Sequence, residues 1–366
     1  MTDLLALTAE LVDIPSVSHE EERIASFAES ELRRQPGLAV TRLGDNVIAR
    51  TALGRAERVV LAGHLDTVPP AGNARARVEG DVCYGVGSVD MKGGVAVLLA
   101  LAREVVEPRY DLTYVLYACE EVEKRYSGLA AIDAARRDLL AADAALLLEP
   151  TNAAVEAGCQ GVMRLVVTTR GRAAHVAYPW MGENAVHRLG AVLIAAAGFA
   201  DRRPVLDGRE YRESLQVVWA EGGDAAKGNV VPDRATARLS HRFAPDRRGD
   251  EAFASIEALL GPALDYSRGD SLEIEETSAP APPSLGHPIL AALVAASGRA
   301  PGAKLGWTDV SHFATRGVPA TNFGPGDPFL CHHADEHVSR GELDLAYATL
   351  RSLLAGSWRF TDGAGR

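Results

Sequence analysis

Several polar side chains that could bind metal ions lie where apolar stretches of the chain end. They are His64 and Asp66, Glu120 and Glu121, and Glu149. Asp90 precedes a further apolar stretch, and His332 and His333 lie downstream. Imidazole and carboxylate ligands without thiolates suit zinc, cobalt or manganese, whereas calcium prefers oxygen ligands. Two ions that share a carboxylate need about five protein ligands. The candidates are His64, Asp90, Glu121, Glu149 and His332.

The apolar stretches alternate with helical patterns, which indicates an open α/β sheet. Residues 58–63, 112–118 and 144–148 have the length and apolar content of buried strands. Residues 95–106 and 127–140 show helical patterns between them. Because such sheets bind ligands at the carboxyl ends of their strands, we expect the polar side chains at these strand ends to lie together.

A second, smaller domain is indicated from about Gly161, where the pattern changes to alternating strands. The strands expected there are 164–169, 214–220 and 235–243, and the helices are 184–200 and 251–260. A proline-rich segment, 279–283, is expected to return the chain to the larger domain. The other expected helices are 2–13, 20–34, 286–299 and 340–358, with a short one after 307–309, and the other strands are 38–51 and 318–323.

Composition excludes several classes of function. The net charge of -11 over 366 residues argues against a nucleic-acid partner, which would require a basic face. No apolar run reaches the roughly 20 residues that span a membrane, and the first residues lack the features of a signal peptide. The four cysteines are widely spaced, so neither disulfides nor a cysteine zinc site is expected. A reducing cytoplasm is the expected location.

Taken in order, five motifs resemble those of the M20 co-catalytic metallopeptidases and deacylases. They are Gly63-His64-Leu65-Asp66, Ser88-Val89-Asp90-Met91-Lys92-Gly93, Glu120-Glu121, Glu149-Pro150 and the late histidine at 332 or 333. The resemblance implies an α/β fold, in which a zinc-peptidase-like catalytic domain has a mixed sheet flanked by helices and carries an inserted α+β lid or dimerisation domain. It implies that 1–160 and 281–366 form the catalytic domain and 161–280 the lid domain.

The resemblance also implies roles for the residues at the strand ends. His64 and Glu149 would bind one zinc ion, Asp90 would bridge, and Glu121 and His332 would bind the second, with cobalt as an alternative metal. The family pattern of His, two residues and then Asp-Glu selects His332, and His333 takes this role if the register differs. Asp66 would orient His64, and Glu120 would act as general acid and base.

The lid motifs add candidates that composition alone would not select. Gly171–Pro179 resembles the family motif whose histidine, here His175, crosses a dimer interface into the neighbouring active site. Tyr178, Asn229, Arg242 and Gly324 are expected to bind substrate, with Arg242 facing a substrate carboxylate. Without the resemblance, His175 would be interpreted as a surface residue, Asn229 as a turn former and Arg242 as a residue on a solvated face.

The implied activity is hydrolysis of an amide bond in a small N-acyl amino acid. The motifs look closest to the branch that removes succinate from N-succinyl-LL-2,6-diaminopimelate, a step of diaminopimelate and lysine biosynthesis, although Glu121–Gly128 is more charged than in that branch. The alternatives are a deacylase or peptidase of the acetylornithine deacetylase or glutamate carboxypeptidase type, a dipeptidase, and a non-catalytic metal-binding protein. A homodimer formed through the lid domain is expected, without nucleic-acid or membrane partners.

Overall fold

The computed structural model describes residues 2–355, which form two compact units. The first unit contains the described residues up to 158, residues 283–302 and residues 312–355. The second unit contains residues 159–282 and 303–311. From the sequence, residues 303–311 were expected in the larger domain, whereas here they pack with the second unit. The catalytic role of the first unit and the lid role of the second stay predictions.

Within residues 2–355, short runs of helices and of strands follow one another along the chain. The helices are α1 (Leu4–Val12), α2 (Glu22–Arg33), α3 (Gly93–Glu104), α4 (Gly128–Arg136), α5 (Ala185–Ala197), α6 (Gly249–Leu260), α7 (Pro288–Ser297), α8 (Val310–Ala314) and α9 (Arg340–Ala355). The strands are β1 (Ala39–Leu43), β2 (Asn46–Arg50), β3 (Arg58–His64), β4 (Arg77–Glu79), β5 (Val82–Tyr84), β6 (Asp111–Tyr117), β7 (Ala144–Leu147), β8 (Glu156–Ala157), β9 (Gly161–Arg170), β10 (Val205–Leu206), β11 (Arg209–Glu210), β12 (Ser214–Gly222), β13 (Arg234–Phe243), β14 (Ser271–Ser278), β15 (Gly302–Ala303), β16 (Ala320–Asn322) and β17 (His337–Ser339).

The first unit is built on a mixed sheet with the strand order β1-β2-β6-β3-β7-β16-β8-β15. Strands β6, β3, β7 and β16 run parallel to one another, so their carboxyl ends lie along one edge. Their side chains are almost entirely buried, because helices cover a parallel sheet on both faces. Helix α3, which is buried over Gly93–Ala102, packs against α1, α9 and β3.

The second unit is an antiparallel sheet with the strand order β12-β13-β9-β14. Alternate side chains of β9 and β13 point into an apolar core that includes residues of α5 and α6, as the two-residue period of a strand requires. Helix α5 begins at Asn184, whose side chain accepts the backbone N–H groups of Val186 and His187. Strand β12 lies at one edge of this sheet.

The helices and longer strands predicted from the sequence are confirmed, with several differences, and the short strands β8, β10, β11, β15 and β17 were not predicted. The expected strand at 38–51 is a hairpin of β1 and β2, and the expected loop before Tyr84 contains β4 and β5. Strand β14 was missed because its charged residues hide the alternation. Residues 356–358 of the expected last helix lie outside the described residues. No helix within 2–355 combines the length and the apolar character that crossing a membrane requires.

Candidate metal centre

His64 is the last residue of β3, and its ring is buried. Its Nδ1 atom lies 3.0 Å from the main-chain oxygen of Asp66. Because a carbonyl oxygen can only accept a hydrogen bond, Nδ1 carries the proton of the neutral ring, which leaves the lone pair on Nε2. Nε2 lies 3.1 Å from Oδ1 of Asp90. The hydrogen bond of Nδ1 therefore holds the imidazole ring so that Nε2, a potential ligand atom, lies next to a carboxylate.

Asp90 lies in the turn between β5 and α3, and its two oxygens face two different histidines. Oδ1 lies 3.1 Å from Nε2 of His64, and Oδ2 lies 3.5 Å from Nε2 of His332. The turn begins at Gly87, which has a φ of 81°, and a Cβ atom there would lie 2.6 Å from a methyl carbon of Thr67. A carboxylate placed between two imidazoles in this way has the arrangement of a bridging ligand.

Glu121 and His332 meet from chain segments that are far apart in sequence. Oε1 of Glu121 lies 2.8 Å from Nε2 of His332, whose backbone has a φ of 64°. The neighbouring His333 is 62% exposed and lies 3.9 Å from Asp335 instead. Potential ligand atoms of His64, Asp90 and Glu121 all lie within 4.8 Å of one another. The structure thus brings His332, and not His333, to the other candidate ligands.

Glu149 follows β7, which pairs in parallel with β3, and it is buried. Burial opposes protonation of His64, yet its pKa is raised by the carboxylates of Asp66 and Asp90, and the charge of Glu149 acts in the same direction. Hydrogen bonds that the His332 ring donates to Asp90 and Glu121 raise the pKa of His332 to about 10. The carboxylates therefore create a strongly negative field, which a bound cation would neutralise.

The carboxylate of Asp66 organises the residues after β6. It is fully buried, and its two oxygens accept the backbone N–H groups of Glu120 and Glu121, each at 3.0 Å. The hydroxyl of Ser18 donates to the same carboxylate at 2.8 Å. Burial alone would raise the pKa of Asp66, but the hydrogen bond from His64 and these N–H groups hold it below its usual value. Asp66 thus stays ionised and fixes the backbone that carries both glutamates.

A second buried carboxylate supports the same segment. Glu21 accepts the backbone N–H of Cys119 at 3.1 Å and lies 3.2 Å from its sulfur, and Cys119 has a φ of 57°. Burial and the Glu21 carboxylate raise the pKa of the Cys119 thiol to about 12, so this thiol stays protonated. Ser18 and Glu21 were not predicted from the sequence. No local signal marks them, because both lie in an ordinary polar stretch between two helices.

The donor set of the centre fits the expected metals. Two imidazoles and at least three carboxylates match the ligand preferences of zinc and cobalt. The Cys331 side chain hydrogen-bonds to Asp90, but burial and the Asp90 charge raise the pKa of its thiol, so it stays protonated. His64, Asp90, Glu121 and His332 meet directly, and Glu149 lies close enough for its charge to act on His64. Glu120 adjoins Glu121, and its backbone is held by Asp66.

The predicted site residues His175, Tyr178, Asn229 and Arg242 lie in the second unit. His175 is exposed, and its Nδ1 accepts the backbone N–H of Ala177 at 3.1 Å. Tyr178 packs against the His175 ring with 5.9 Å between centroids, and the main-chain oxygen of Asn229 accepts the N–H of Val176. Because Nδ1 of His175 accepts a hydrogen bond, Nε2 of the neutral ring carries the proton and can donate it to a ligand.

Arg242 lies on β13 and forms no ion pair with any residue between 2 and 355. Burial lowers the pKa of its guanidinium, and the positive charge of Arg164 acts in the same direction. By contrast, Arg238 on the same strand pairs with Glu275 at 3.3 Å. A partly buried guanidinium without an acidic neighbour is suited to an anionic ligand.

Gly324, the last predicted substrate residue, packs against the segment that carries Glu149. A Cβ atom at Gly324 would lie 2.3 Å from the main-chain oxygen of Leu148. Its backbone N–H already donates to the hydroxyl of Thr151 at 3.1 Å. Close packing gives a structural reason for glycine here, and a contact with substrate stays a prediction.

Known proteins resemble this chain over nearly its whole length. Residues 60–356 match the model of peptidase family M20/M25/M40. A candidate succinyl-diaminopimelate desuccinylase of Mycobacterium tuberculosis is 48% identical over 357 residues, covering 97% of this chain and 98% of the relative. The succinyl-diaminopimelate desuccinylase of Corynebacterium glutamicum is 44% identical and covers 96% of both chains.

Solved structures show the same fold at low sequence identity. A tripeptidase from Staphylococcus aureus superposes with a TM-score of 0.78 at 20% identity, covering 96% of this chain and 97% of that one. An M20 family metallo-carboxypeptidase from Sulfolobus solfataricus superposes with a TM-score of 0.76 at 16% identity, with coverage of 96% and 98%. The chain belongs to peptidase family M20/M25/M40, whose members are metal-dependent, and it is a hydrolase.

Proposed function

We propose that the protein is a two-metal amide hydrolase that removes succinate from N-succinyl-LL-2,6-diaminopimelate. The observation that carries the metal assignment is the position of Asp90, whose two carboxylate oxygens face His64 and His332. The substrate rests on 44–48% identity to relatives named for this activity over nearly their whole length. The free cysteines support a reducing, cytoplasmic location.

In this proposal His64 and Glu149 would hold one zinc ion, Glu121 and His332 would hold the other, and Asp90 would be shared between them, with cobalt as an alternative. When bound, the ions supply Lewis acidity that lowers the pKa of water and polarises the amide carbonyl. Asp66 keeps the His64 ring in one orientation through its main-chain oxygen.

Glu120 is proposed to move the protons. Its carboxylate accepts a proton from the attacking water while the water oxygen bonds to the amide carbon. It then gives this proton to the departing amine as the C–N bond breaks, which releases succinate and LL-diaminopimelate. The support for this role is the fixed backbone of Glu120, which Asp66 holds beside the ligand Glu121.

Arg242 is proposed to bind the free carboxylate of the succinyl group. The absence of an acidic partner among residues 2–355 supports this role, since a substrate carboxylate would provide one. Tyr178, Asn229 and Gly324 stay predicted substrate contacts. An acetylated substrate has no acyl carboxylate, so the effect of replacing Arg242 on succinylated and acetylated substrates distinguishes the proposed activity from that of an acetylornithine deacetylase.

A homodimer formed through the second unit is proposed as the working form. Edge strand β12 exposes Val218 and Trp219, and helix α5 exposes Ile194, which is 76% accessible. An exposed apolar edge strand is a surface that natural proteins usually cover. His175 would donate its Nε2 proton to the developing oxyanion in the partner's active site.

The test is a comparison of amine release from N-succinyl-LL-diaminopimelate, N-acetylornithine and a dipeptide panel. Zinc-loaded and chelator-treated protein are assayed in parallel. Chelator-sensitive turnover of the succinyl substrate above the others is the expected result. Preference for another amide would move the protein to another branch of the family, and the absence of turnover would favour a non-catalytic metal-binding protein.

A further inference from the structure

Glu336 is a buried carboxylate that the proposed mechanism does not use. It lies at the end of the segment 331–336, one residue before β17, and its exposure is 1%. A buried carboxylate is unfavourable unless hydrogen bonds stabilise it, so its neighbours indicate why it is there.

The neighbours are backbone N–H groups of the turn that carries Asp90. Oε1 of Glu336 accepts the N–H of Val89 at 2.9 Å and that of Asp90 at 3.0 Å. The N–H of Gly87 also hydrogen-bonds to this carboxylate. Three N–H groups of one turn thus converge on one side chain, which fixes the backbone from which the Asp90 carboxylate projects.

The backbone of Glu336 is tied to both sides of the same centre. Its N–H donates to the main-chain oxygen of His333 at 3.2 Å, which closes the turn directly after His332. Its main-chain oxygen accepts the N–H of Gly85 at 3.0 Å, two residues before the turn that contains Asp90. One residue therefore joins the segments of two candidate ligands that are more than 240 positions apart in the sequence.

We propose that Glu336 is a positioning residue of the metal centre, whose carboxylate holds the Asp90 turn in the orientation that allows one oxygen to face His64 and the other His332. This inference rests on the proposed two-metal function. Glu336 is given no role as a metal ligand in this proposal, because three backbone N–H groups hydrogen-bond to its carboxylate. Its effect is on the affinity and stoichiometry of metal binding, and on catalysis only through them.

The test measures metal binding in the absence of substrate. Chelator-treated wild type, Glu336→Ala and Glu336→Gln are titrated with Zn²⁺ against a chromophoric chelator, and with Co²⁺ while its visible absorption is recorded. Circular dichroism and thermal unfolding in chelator establish that each metal-free variant is folded. The matched control is Glu104→Ala, which removes a carboxylate that accepts a backbone N–H and two hydroxyls but contacts no candidate ligand.

We expect Glu336→Ala to bind at least one ion about 10- to 100-fold more weakly than wild type, the range observed for residues that orient metal ligands. Glu336→Gln should recover most of this affinity, because its amide oxygen can accept the same two N–H groups. The Co²⁺ spectrum of Glu336→Ala should also change, since the bridging geometry is disturbed. Glu104→Ala should bind both ions like wild type.

The proposal is overturned if folded Glu336→Ala binds both ions with the affinity of wild type. It is also overturned if the Ala and Gln variants lose metal affinity to the same extent. If Glu336→Ala does not fold, Glu336→Asp replaces it. Its shorter side chain should cause the same loss of affinity, and unchanged affinity would overturn the proposal. Wild type that binds two ions but does not cleave the succinyl substrate would reject only the proposed substrate. Wild type that binds no ion would overturn both proposals.

Discussion

Asp66 accepts the backbone N–H of Glu120 at 3.0 Å through one carboxylate oxygen, and the other oxygen accepts the N–H of Glu121 at the same distance. One side chain thus sets the backbone positions of the proposed acid–base group and of a proposed metal ligand. Because Asp66 is fully buried, no water can replace either contact without rearrangement.

Replacing Asp66 with asparagine should disturb both glutamates. The amide has one oxygen, so one of the two N–H groups would face the NH₂ group. We expect kcat to fall on the order of 10- to 100-fold with a smaller change in KM. Ser18→Ala, which removes only one donor to Asp66, should have a weaker effect. Equal activity of Asp66→Asn and wild type would show that this carboxylate does not position the site.

Glu120→Gln should abolish proton transfer while leaving the metal ligands in place. We expect kcat to fall by roughly 10²- to 10⁴-fold, the usual contribution of a general acid–base group. Metal content, measured by elemental analysis, should equal that of wild type. Glu123→Gln, in the same exposed loop, is the control and should keep full turnover. Near wild-type turnover of Glu120→Gln would reject the proposed role.

Arg242→Ala should weaken binding of substrates that carry an acyl carboxylate. Loss of a charge-assisted hydrogen bond costs about 1.5–3 kcal/mol, which corresponds to roughly a 10- to 150-fold lower kcat/KM. Turnover of an acetylated analogue should change little, so the ratio of the two substrates is the decisive measurement. Arg238→Ala, an ion-paired residue of the same strand, is the control. An equal loss for both substrates would contradict recognition of the acyl carboxylate.

Two inactive variants should complement each other if His175 acts across a dimer interface. Glu120→Ala and His175→Ala are mixed, unfolded together and refolded. A hybrid dimer then contains one complete site, so up to about a quarter of the sites regain activity at equal mixing. Either variant refolded alone is the control. An inactive mixture, or a fully active monomer by light scattering, would exclude a cross-subunit role.

His312 should make the stability of the protein depend on pH. Burial lowers its pKa to about 4 in the folded state, and the positive charge of Arg316 adds to this effect. Between pH 6.5 and pH 4 the unfolded chain therefore binds a proton that the folded protein does not, so stability falls as the pH decreases through this window. The effect reaches at most about 3 kcal/mol.

His312→Gln should remove this contribution, which gives a smaller slope of the unfolding free energy against pH between pH 7 and pH 5. Denaturant unfolding at several pH values measures this slope. His187→Gln changes an exposed histidine and should leave the wild-type slope intact. Parallel curves for wild type and His312→Gln would contradict a lowered pKa of His312.

The sequence by itself determined the buried strands and the polar residues at their ends. Runs such as Val59–Ala62 and Ala144–Leu147 are apolar on both faces, and only a strand covered on both sides by helices buries such a run. Parallel strands place their carboxyl ends at one edge, so the meeting of His64, Glu121 and Glu149 could be expected from the sequence. Family motifs supplied the choice of His332.

Only the tertiary structure decided which groups hold these ligands in place. Ser18 donates to Asp66 of the candidate metal centre, and Glu21 accepts the N–H of Cys119 in the segment after β6. Glu336 accepts the N–H of Asp90, from which it is separated by 246 positions in the sequence. The hydrophobic periodicity of the sequence does not predict such contacts. A hydrogen bond between distant segments depends on how the elements pack, and not on the pattern within any one element. A sequence therefore indicates the ligands, whereas packing determines which groups orient them.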